Sequence, residues 1–237
     1  MEKSAAEDRS QPLPRHVAVI GAAGGLGQGI LAECRERGIG FTAIVRSRPE
    51  RISDVPEDSR VEVVSTLADV SSLSDAFRGA DAVLTALGVT PTSSDATALL
   101  SQNMATFERA MLQAGVERVV VINTVLSPSP GDQPSLLMRL LTWMPGKVGR
   151  GARELRAVVD AIGRGEFSAL SWTLVRAGVN VSGVEEEPAA ALDWSDGINS
   201  WMPVSYRAMA RWMIEEAAAR EFVRAAPIVS QKKKHTK

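Results

Sequence analysis

The segment Gly21–Gly27 (GAAGGLG) places four glycines in seven positions, directly after the apolar run Val17–Ile20. Glycines leave space beside the backbone, and the unpaired N–H groups at the start of a helix attract anions. The spacing therefore predicts a sharp turn between a strand and a helix that binds a phosphate group through its backbone. An ordinary tight turn is the alternative. The residues predicted to bind are Gly21, Ala23, Gly24, Gly25, Leu26 and Gly27.

A second polar group, Arg46, Ser47 and Arg48, follows the apolar run Phe41–Val45. In sheets that bind dinucleotides, an acidic residue near this point binds the ribose 2'-hydroxyl of NAD. A carboxylate would repel a 2'-phosphate, whereas guanidinium groups pair with phosphate, often through two parallel hydrogen bonds. The group therefore favours NADP(H) over NAD(H), with a solvated turn as the alternative.

These residues must be positioned by elements that alternate along the chain. The predicted strands are Val17–Ile20, Phe41–Val45, Val61–Val64, Ala82–Leu87, Arg118–Ile122, Trp172–Val175 and Pro227–Val229. The predicted helices are Gly25–Arg37, Ser71–Phe77, Thr97–Ala114, Leu136–Met144, Ala152–Ile162 and Ser205–Ala219. Apolar strands separated by helices are typical of a parallel sheet covered on both faces. The predicted fold class is α/β, a Rossmann-type doubly wound parallel sheet forming a single domain with a small C-terminal substrate-side extension.

The predicted domain organisation has three parts: a flexible leader at 1–14, an NAD(P)-binding Rossmann domain at 15–230 and a disordered basic tail at 231–237. Within the domain, the substrate pocket is expected from 125–150 and 179–205. The apolar part of the first segment interrupts a proline-rich loop, so we expect it to form a short helix that serves as a lid or a subunit contact.

Composition excludes several classes of function. The net charge of −1 gives no basic field for a nucleic acid, and one cysteine with two histidines argues against a metal site. No apolar run is long enough to span a membrane, and the start of the chain lacks the apolar core of a signal peptide. We therefore expect a cytoplasmic monomer or homodimer with a small-molecule substrate and no metal, nucleic-acid or membrane partner. For the basic tail, a nucleic-acid or membrane-surface contact is the alternative.

Six segments, taken in order over about residues 16–220, carry a family resemblance: GAAGGLG, AIVRSRPE, LADV, FRGADAVLTALG, AGVERVVVINT and WTLVRAG. Together they resemble the atypical short-chain dehydrogenase/reductase superfamily, and within it the NmrA-like and biliverdin-reductase-B-like members. The resemblance implies a Rossmann fold and a nicotinamide dinucleotide cofactor.

The resemblance also implies cofactor contacts at four strand ends, by Asp69, Val70, Ala86, Leu87, Gly88, Asn123, Thr124, Ala177 and Gly178. Asp69 would accept a hydrogen bond from the adenine amino group. Asn123 and Thr124 would lie near the nicotinamide, and Ala177 and Gly178 would flank its carboxamide. The structural alternatives are a helix cap for Asp69 and core packing for the apolar residues.

The superfamily's catalytic pair, Tyr-x-x-x-Lys, is missing. The only tyrosine is Tyr206, far downstream, and alignment through Asp160 puts Ala152 and Arg156 at the positions of the pair. The resemblance implies that Arg156 holds the ribose or polarises a substrate oxygen. It also places Thr124 where the superfamily has its active-site serine, so that its hydroxyl would donate to a substrate oxygen. A threonine that merely ends a strand is the alternative.

Three tryptophans, Trp143, Trp194 and Trp201, are predicted to stack a flat substrate, with core or interface packing as the alternative. The function predicted is an NADPH-dependent reductase of a small conjugated or aromatic carbonyl, quinone or flavin, because such products need no enzymatic acid. A non-catalytic NADP(H) sensor or scaffold of NmrA type, and a non-redox cyclase or dehydratase, are the alternatives.

Overall fold

The structure, a computed structural model, describes residues 12–87, 100–180, 183, 185–193, 198–199 and 202–232. The strands in this part are β1 (His16–Ile20), β2 (Gly40–Val45), β3 (Arg60–Val63), β4 (Ala82–Thr85), β5 (Arg118–Thr124), β6 (Ser171–Ala177), β7 (Val179–Asn180), β8 (Ala189–Ala191), β9 (Ile198–Asn199), β10 (Val204–Ser205) and β11 (Ile228–Lys232). The helices are α1 (Gly25–Arg37), α2 (Val70–Phe77), α3 (Leu100–Ala114), α4 (Leu136–Trp143), α5 (Gly146–Gly163) and α6 (Tyr206–Ala219), with a 3₁₀ turn at Pro49–Arg51.

The main sheet has the strand order β3-β2-β1-β4-β5-β6-β11-β8, and β9 also pairs with β11. Pairing is parallel from β3 through β11, whereas β8 and β9 run antiparallel to β11. From β1 to β3 the strands are added towards one edge of the sheet, and from β4 onwards they are added towards the other edge. The order therefore changes direction between the adjacent strands β1 and β4. Ligands of open α/β sheets bind at such a switch point. The predicted α/β fold with a Rossmann-type doubly wound sheet is confirmed.

Helices cover both faces of the sheet and bury it. On one face α1 and α6 pack through side chains such as Ile30 and Met213. On the other face α2, α3 and α5 pack through side chains such as Phe77, Phe107 and Val158. The central strands are therefore apolar on both sides, as expected for parallel strands between two helical layers.

Several boundaries differ from those predicted. Helix α2 begins at Val70, one residue earlier than predicted, and its cap is Asp69, whose carboxylate accepts hydrogen bonds from the Ser71 and Ser72 backbone N–H groups. Helix α5 begins at Gly146, six residues earlier than predicted. Strand β11 extends through Lys232, two residues into the predicted disordered tail. Across the described ranges, no helix combines the length and apolar character needed to cross a membrane.

Candidate functional site

The turn between β1 and α1 is built so tightly that only glycine fits at two positions. Gly21 has a φ of +79°, and a Cβ on Gly27 would lie 2.3 Å from the Gly21 carbonyl oxygen. The Gly24 N–H donates to this same oxygen over 3.0 Å. No side chain caps the start of α1, and its first turn holds no acidic residue. The backbone at this helix start is therefore suited to an anion.

A cleft of about 260 Å³ runs from this turn along the carboxyl ends of the central strands. Of the residues predicted to bind a cofactor, the cleft is lined by Gly21, Ala23, Gly24, Arg46, Ser47, Leu87 and Asn123. The prediction missed other lining residues, among them Ser65, Thr66, Leu67, Leu100, Glu154, Leu155 and Val158. In open α/β sheets, a cleft at the switch point is where a dinucleotide would bind.

Three other residues that were predicted to bind the cofactor, Gly25, Leu26 and Ala86, lie in or beside the turn but do not line the cleft. Gly25 packs against the Tyr206 ring, since a Cβ on Gly25 would lie 2.6 Å from the ring atom Cε2. Leu26 is buried in the core under α1. Ala86 is buried, and its carbonyl lies 3.0 Å from where a Cβ on Gly21 would be. These residues shape the turn without lining the cleft.

The structure separates the two arginines that follow β2. Arg46 and Ser47 line the cleft, and the Arg46 side chain is exposed to solvent. Arg48 lies outside the lining and caps the 3₁₀ turn in a left-handed conformation with a φ of +62°. Its carbonyl accepts a hydrogen bond from the Arg51 N–H over 3.1 Å. Only the first arginine is thus in place to meet a phosphate in the cleft.

Asp69 serves as a helix cap. One carboxylate oxygen accepts from the Ser71 and Ser72 N–H groups over 3.0 and 3.2 Å, and the other accepts from the Ser72 hydroxyl over 2.6 Å. These hydrogen bonds, with the Ser72 hydroxyl first, hold the pKa of Asp69 below its usual value. Val70 is the first residue of α2 and packs half-buried on the core. Neither residue lines the cleft, which contains the preceding segment 64–67 instead.

Asn123 ties the end of β5 to α5 at the wall of the cleft. It is buried, and its amide donates to the Leu155 carbonyl over 3.1 Å. Its side-chain oxygen accepts from the Thr124 N–H over 2.7 Å and from the Ser127 hydroxyl over 2.9 Å. The nitrogen and the oxygen of its side chain therefore both bond within the protein, and Asn123 positions the residues around it.

A second, mostly apolar pocket of about 190 Å³ adjoins the cleft, and Leu155 lines both cavities. The pocket is lined by Thr124, Leu126, Met138, Leu141, Lys147, Val148, Gly151, Ala152 and Leu155. Among the described residues of this lining, Thr124 and Lys147 are the ones with a hydroxyl or a charged side chain. Thr124 therefore lines the second pocket and not the cleft that contains the glycine turn.

Two residues predicted near the substrate lie elsewhere. Arg156 pairs with Asp160 over 3.0 Å and shares a shallow depression with Trp143 on the outer side of α5. The Trp143 side chain is 88% exposed. Neither residue lines the cleft or the Thr124 pocket. A role for Arg156 or Trp143 near the substrate therefore stays a prediction.

Ala177 and Gly178 lie beside Thr124 without lining either cavity. Ala177 pairs with Thr124 in the β5–β6 register, and the Gly178 carbonyl accepts from the Val204 N–H over 2.8 Å. Gly88, Trp194 and Trp201 lie outside the described residues.

Glu154 is a buried carboxylate in the cleft wall that the prediction missed. It accepts from the Ser101 N–H over 3.0 Å and from the Ser101 hydroxyl, and so caps α3 from α5. Helical periodicity could have found it, since Glu154 and Val158 are four residues apart and share one face of α5. Among the described residues, no group of three or more His, Cys, Asp or Glu side chains could hold a metal ion.

Comparison with solved structures returns the same fold. A candidate epimerase from Bacteroides thetaiotaomicron is 21% identical with a TM-score of 0.70, and the match covers 94% of this chain and 100% of that chain. A short-chain dehydrogenase/reductase from Veillonella parvula in complex with NADP is 18% identical with a TM-score of 0.64, over 94% and 98% of the two chains. A candidate NADH-flavin reductase from Streptococcus pneumoniae is 21% identical with a TM-score of 0.64, over 92% and 100%. At these identities the likeness shows the fold alone.

Comparison with curated protein sequences gives no match. The family model described as NAD(P)H-binding matches residues 21–224, from the first glycine of the turn to beyond α6. This range includes every residue that lines the cleft except Ile20 at the end of β1. The chain therefore belongs to the NAD(P)H-binding family, in agreement with its resemblance to the atypical short-chain dehydrogenases/reductases.

Proposed function

We propose that this protein is an NADPH-dependent reductase of a small conjugated or aromatic carbonyl, quinone or flavin. The observation that carries the proposal is the pair of adjoining cavities on either side of Leu155. One contains the glycine turn, and the other is an apolar pocket with the Thr124 hydroxyl in its wall. An apolar pocket with few polar groups suits a flat, largely apolar substrate.

The residues present fit the cofactor. The turn offers backbone to the pyrophosphate where a Cβ on Gly21 or Gly27 would clash with main-chain atoms. Arg46 and Ser47 in the cleft support binding of the 2'-phosphate of NADPH, because guanidinium forms charge-assisted hydrogen bonds with phosphate. Val64 and Leu67 give the adenine apolar surface in place of the expected contact with Asp69.

Bound NADPH would supply a hydride, that is two electrons and one proton, to the substrate. The Thr124 hydroxyl would donate a hydrogen bond to the substrate oxygen and stabilise the charge that develops there. Leu126, Met138 and Leu141 would exclude water from the substrate body. Ala152 stands where the superfamily has its tyrosine, so the proton that completes a hydroquinone or reduced flavin would come from water.

The test combines binding with turnover. We expect purified protein to bind NADPH at least about tenfold more tightly than NADH, since an arginine–phosphate contact contributes about 1.5–3 kcal/mol. We also expect NADPH oxidation, followed by its absorbance, when a water-soluble quinone or free flavin is added. If NADPH binds tightly but none of these acceptors causes its oxidation, the result would contradict the reductase function and favour a non-catalytic NADP(H) sensor. The alanine at position 152, in place of a catalytic tyrosine, is also compatible with a sensor.

A further inference from the structure

The outer face of α4 and the start of α5 carry an unusual concentration of exposed apolar side chains. Leu136, Leu140 and Trp143 are 81%, 65% and 88% exposed, at a spacing that puts them on one face of α4. With Leu137, Met144 and Val148 they form what we call the α4 patch. Half of the large apolar side chains that are exposed in the described ranges belong to it. Exposed apolar surfaces of this kind mark sites of interaction.

Most of the charges around the patch are positive, and the carboxylate of Asp160, which shares a depression with Trp143, is paired with Arg156. Residues 133–153 include Arg139, Lys147, Arg150 and Arg153 but no aspartate or glutamate, in a chain whose net charge is −1. All four side chains are exposed. Arg153 donates to the Thr142 carbonyl over 2.7 Å, and within the described ranges none of the four forms an ion pair with a carboxylate.

We propose that the α4 patch docks onto the surface of a bilayer that contains anionic lipids. Leucine and tryptophan on one helix face, with arginine and lysine beside them, are the features of a helix that lies in a membrane interface. Each cation near an anionic surface adds to the attraction. A second copy of this chain fits less well, because a twofold interface would bring the same cations together. The sequence led us to expect no membrane partner from the lack of a spanning segment, but an interfacial helix does not span.

Docking would place the rim of the substrate pocket at the bilayer. Helix α4 turns Met138 and Leu141 inward to line the pocket, opposite the exposed Leu140 and Trp143. Lys147 and Val148 line the pocket and are also exposed. Val148 belongs to the α4 patch, and Lys147 precedes it in the sequence. If the proposed reductase function holds, the electron acceptor is then an apolar quinone or carbonyl dissolved in the membrane, which would enter without crossing water.

The experiment is cosedimentation of the full chain with vesicles. Vesicles of phosphatidylglycerol and phosphatidylcholine should bind the protein at low salt, and vesicles of phosphatidylcholine alone should bind it at least about tenfold more weakly. The double variant Leu140→Ser/Trp143→Ser should weaken binding to the anionic vesicles by about tenfold or more. The variant Arg139→Gln/Arg150→Gln should weaken binding to the anionic vesicles by about tenfold or more, because each cation contributes about fivefold to the affinity. Added salt should also weaken this binding, because it screens the same charges. Leu112→Ser, which removes an exposed leucine on α3, is the matched control and should leave binding unchanged.

Each contrary outcome is distinct. Absence of binding to anionic vesicles, or equal binding to neutral vesicles, would overturn the proposal. A third result would also overturn it: the original protein does not bind vesicles, sediments as a dimer in analytical ultracentrifugation, and becomes a monomer in the variant Leu140→Ser/Trp143→Ser. The vesicle assay needs no turnover, and oxidation of NADPH by a water-soluble quinone needs no vesicle, so failure of docking is separable from failure of the reductase. Leu140→Ser/Trp143→Ser should leave that soluble activity unchanged.

Discussion

The two ends of the proposed site are built in different ways. At the glycine turn, function depends on seven consecutive residues whose backbone is fixed by contacts within the segment and with the neighbouring strand ends. At the Thr124 pocket, the wall comes from the end of β5, from α4 and from α5. The first kind of site can be recognised in a sequence because its residues are adjacent. The second depends on how helices pack, so changes there should affect the substrate while leaving the cofactor in place.

The largest effect should come from Gly27→Ala, at the locally built end. The new methyl carbon would lie 2.3 Å from the Gly21 carbonyl oxygen and 2.6 Å from the Ala22 Cα, both main-chain atoms. Overpacking in a well-packed interior costs about 1–3 kcal/mol or more, and here the backbone must move. We expect a lower urea midpoint and loss of NADPH binding. Gly178→Ala is the matched control, since its methyl would meet only an ordinary contact at 3.8 Å. Equal destabilisation by the two variants would contradict this account of the turn.

At the other end, Thr124→Val should act on turnover alone. The substitution keeps the shape of the side chain and removes the hydroxyl that would donate to the substrate oxygen. Loss of one such donor typically costs about 10²–10³ in kcat. We therefore expect kcat for quinone reduction to fall by about a hundredfold while the Kd for NADPH stays within about twofold. Arg156→Ala provides the comparison, because that side chain lies outside both cavities. A larger loss from Arg156→Ala than from Thr124→Val would show that the substrate lies elsewhere.

The accuracy of prediction from the sequence also differs between structure formed by adjacent residues and structure formed by distant segments. Helix α1 was predicted to the residue, because its apolar positions are bounded by glycines at both ends. The predicted start of helix α5 was too late, because Gly146, Gly149 and Gly151 lower the helix propensity of its first turns. The reason for glycine at these positions is visible only in the packing of the folded protein. A Cβ on Gly149 would lie 1.7 Å from the Met144 carbonyl oxygen, so glycine there permits the tight junction of α4 with α5. Strands of two or three residues, such as β7 and β10, are too short to show a periodic pattern.

The same limit applies to the site. Cleft residues at the turn and after β2 were found because each follows an apolar strand directly. The prediction for Arg156 came from a family alignment, which sets a register along α5 but does not show which neighbours cover each face, and the structure places this residue outside the lining of both cavities. Glu154 and Leu155, which do face the cavities, carry no motif at all. Their role depends on α5 packing beside β5, a contact between segments far apart in the chain.

A moderate effect should distinguish the two arginines after β2. We expect Arg46→Ala to reduce the preference for NADPH over NADH by about tenfold, less than the full strength of a charged hydrogen bond because the side chain is exposed. Arg48→Ala should leave the preference unchanged, since that residue lies outside the cleft lining. Fluorescence titration of both cofactors against each variant measures this. The reverse ranking would place the 2'-phosphate beyond the cleft described above.

The smallest effect should come from Asp69→Ala, which separates a cap from a cofactor ligand. As a cap, Asp69 stabilises α2, so the variant should unfold at slightly lower urea concentration and bind NADPH as tightly as the original protein. Its pKa is lowered from 3.8 in the folded state, so the carboxylate's contribution is complete well above that value and is lost as pH falls through the folded pKa. The stability difference between Asp69→Ala and the original protein should therefore be constant near pH 7 and shrink only in strong acid. A loss of NADPH affinity without loss of stability would instead assign the carboxylate to the adenine, and the cofactor end would then extend beyond the residues that line the cleft.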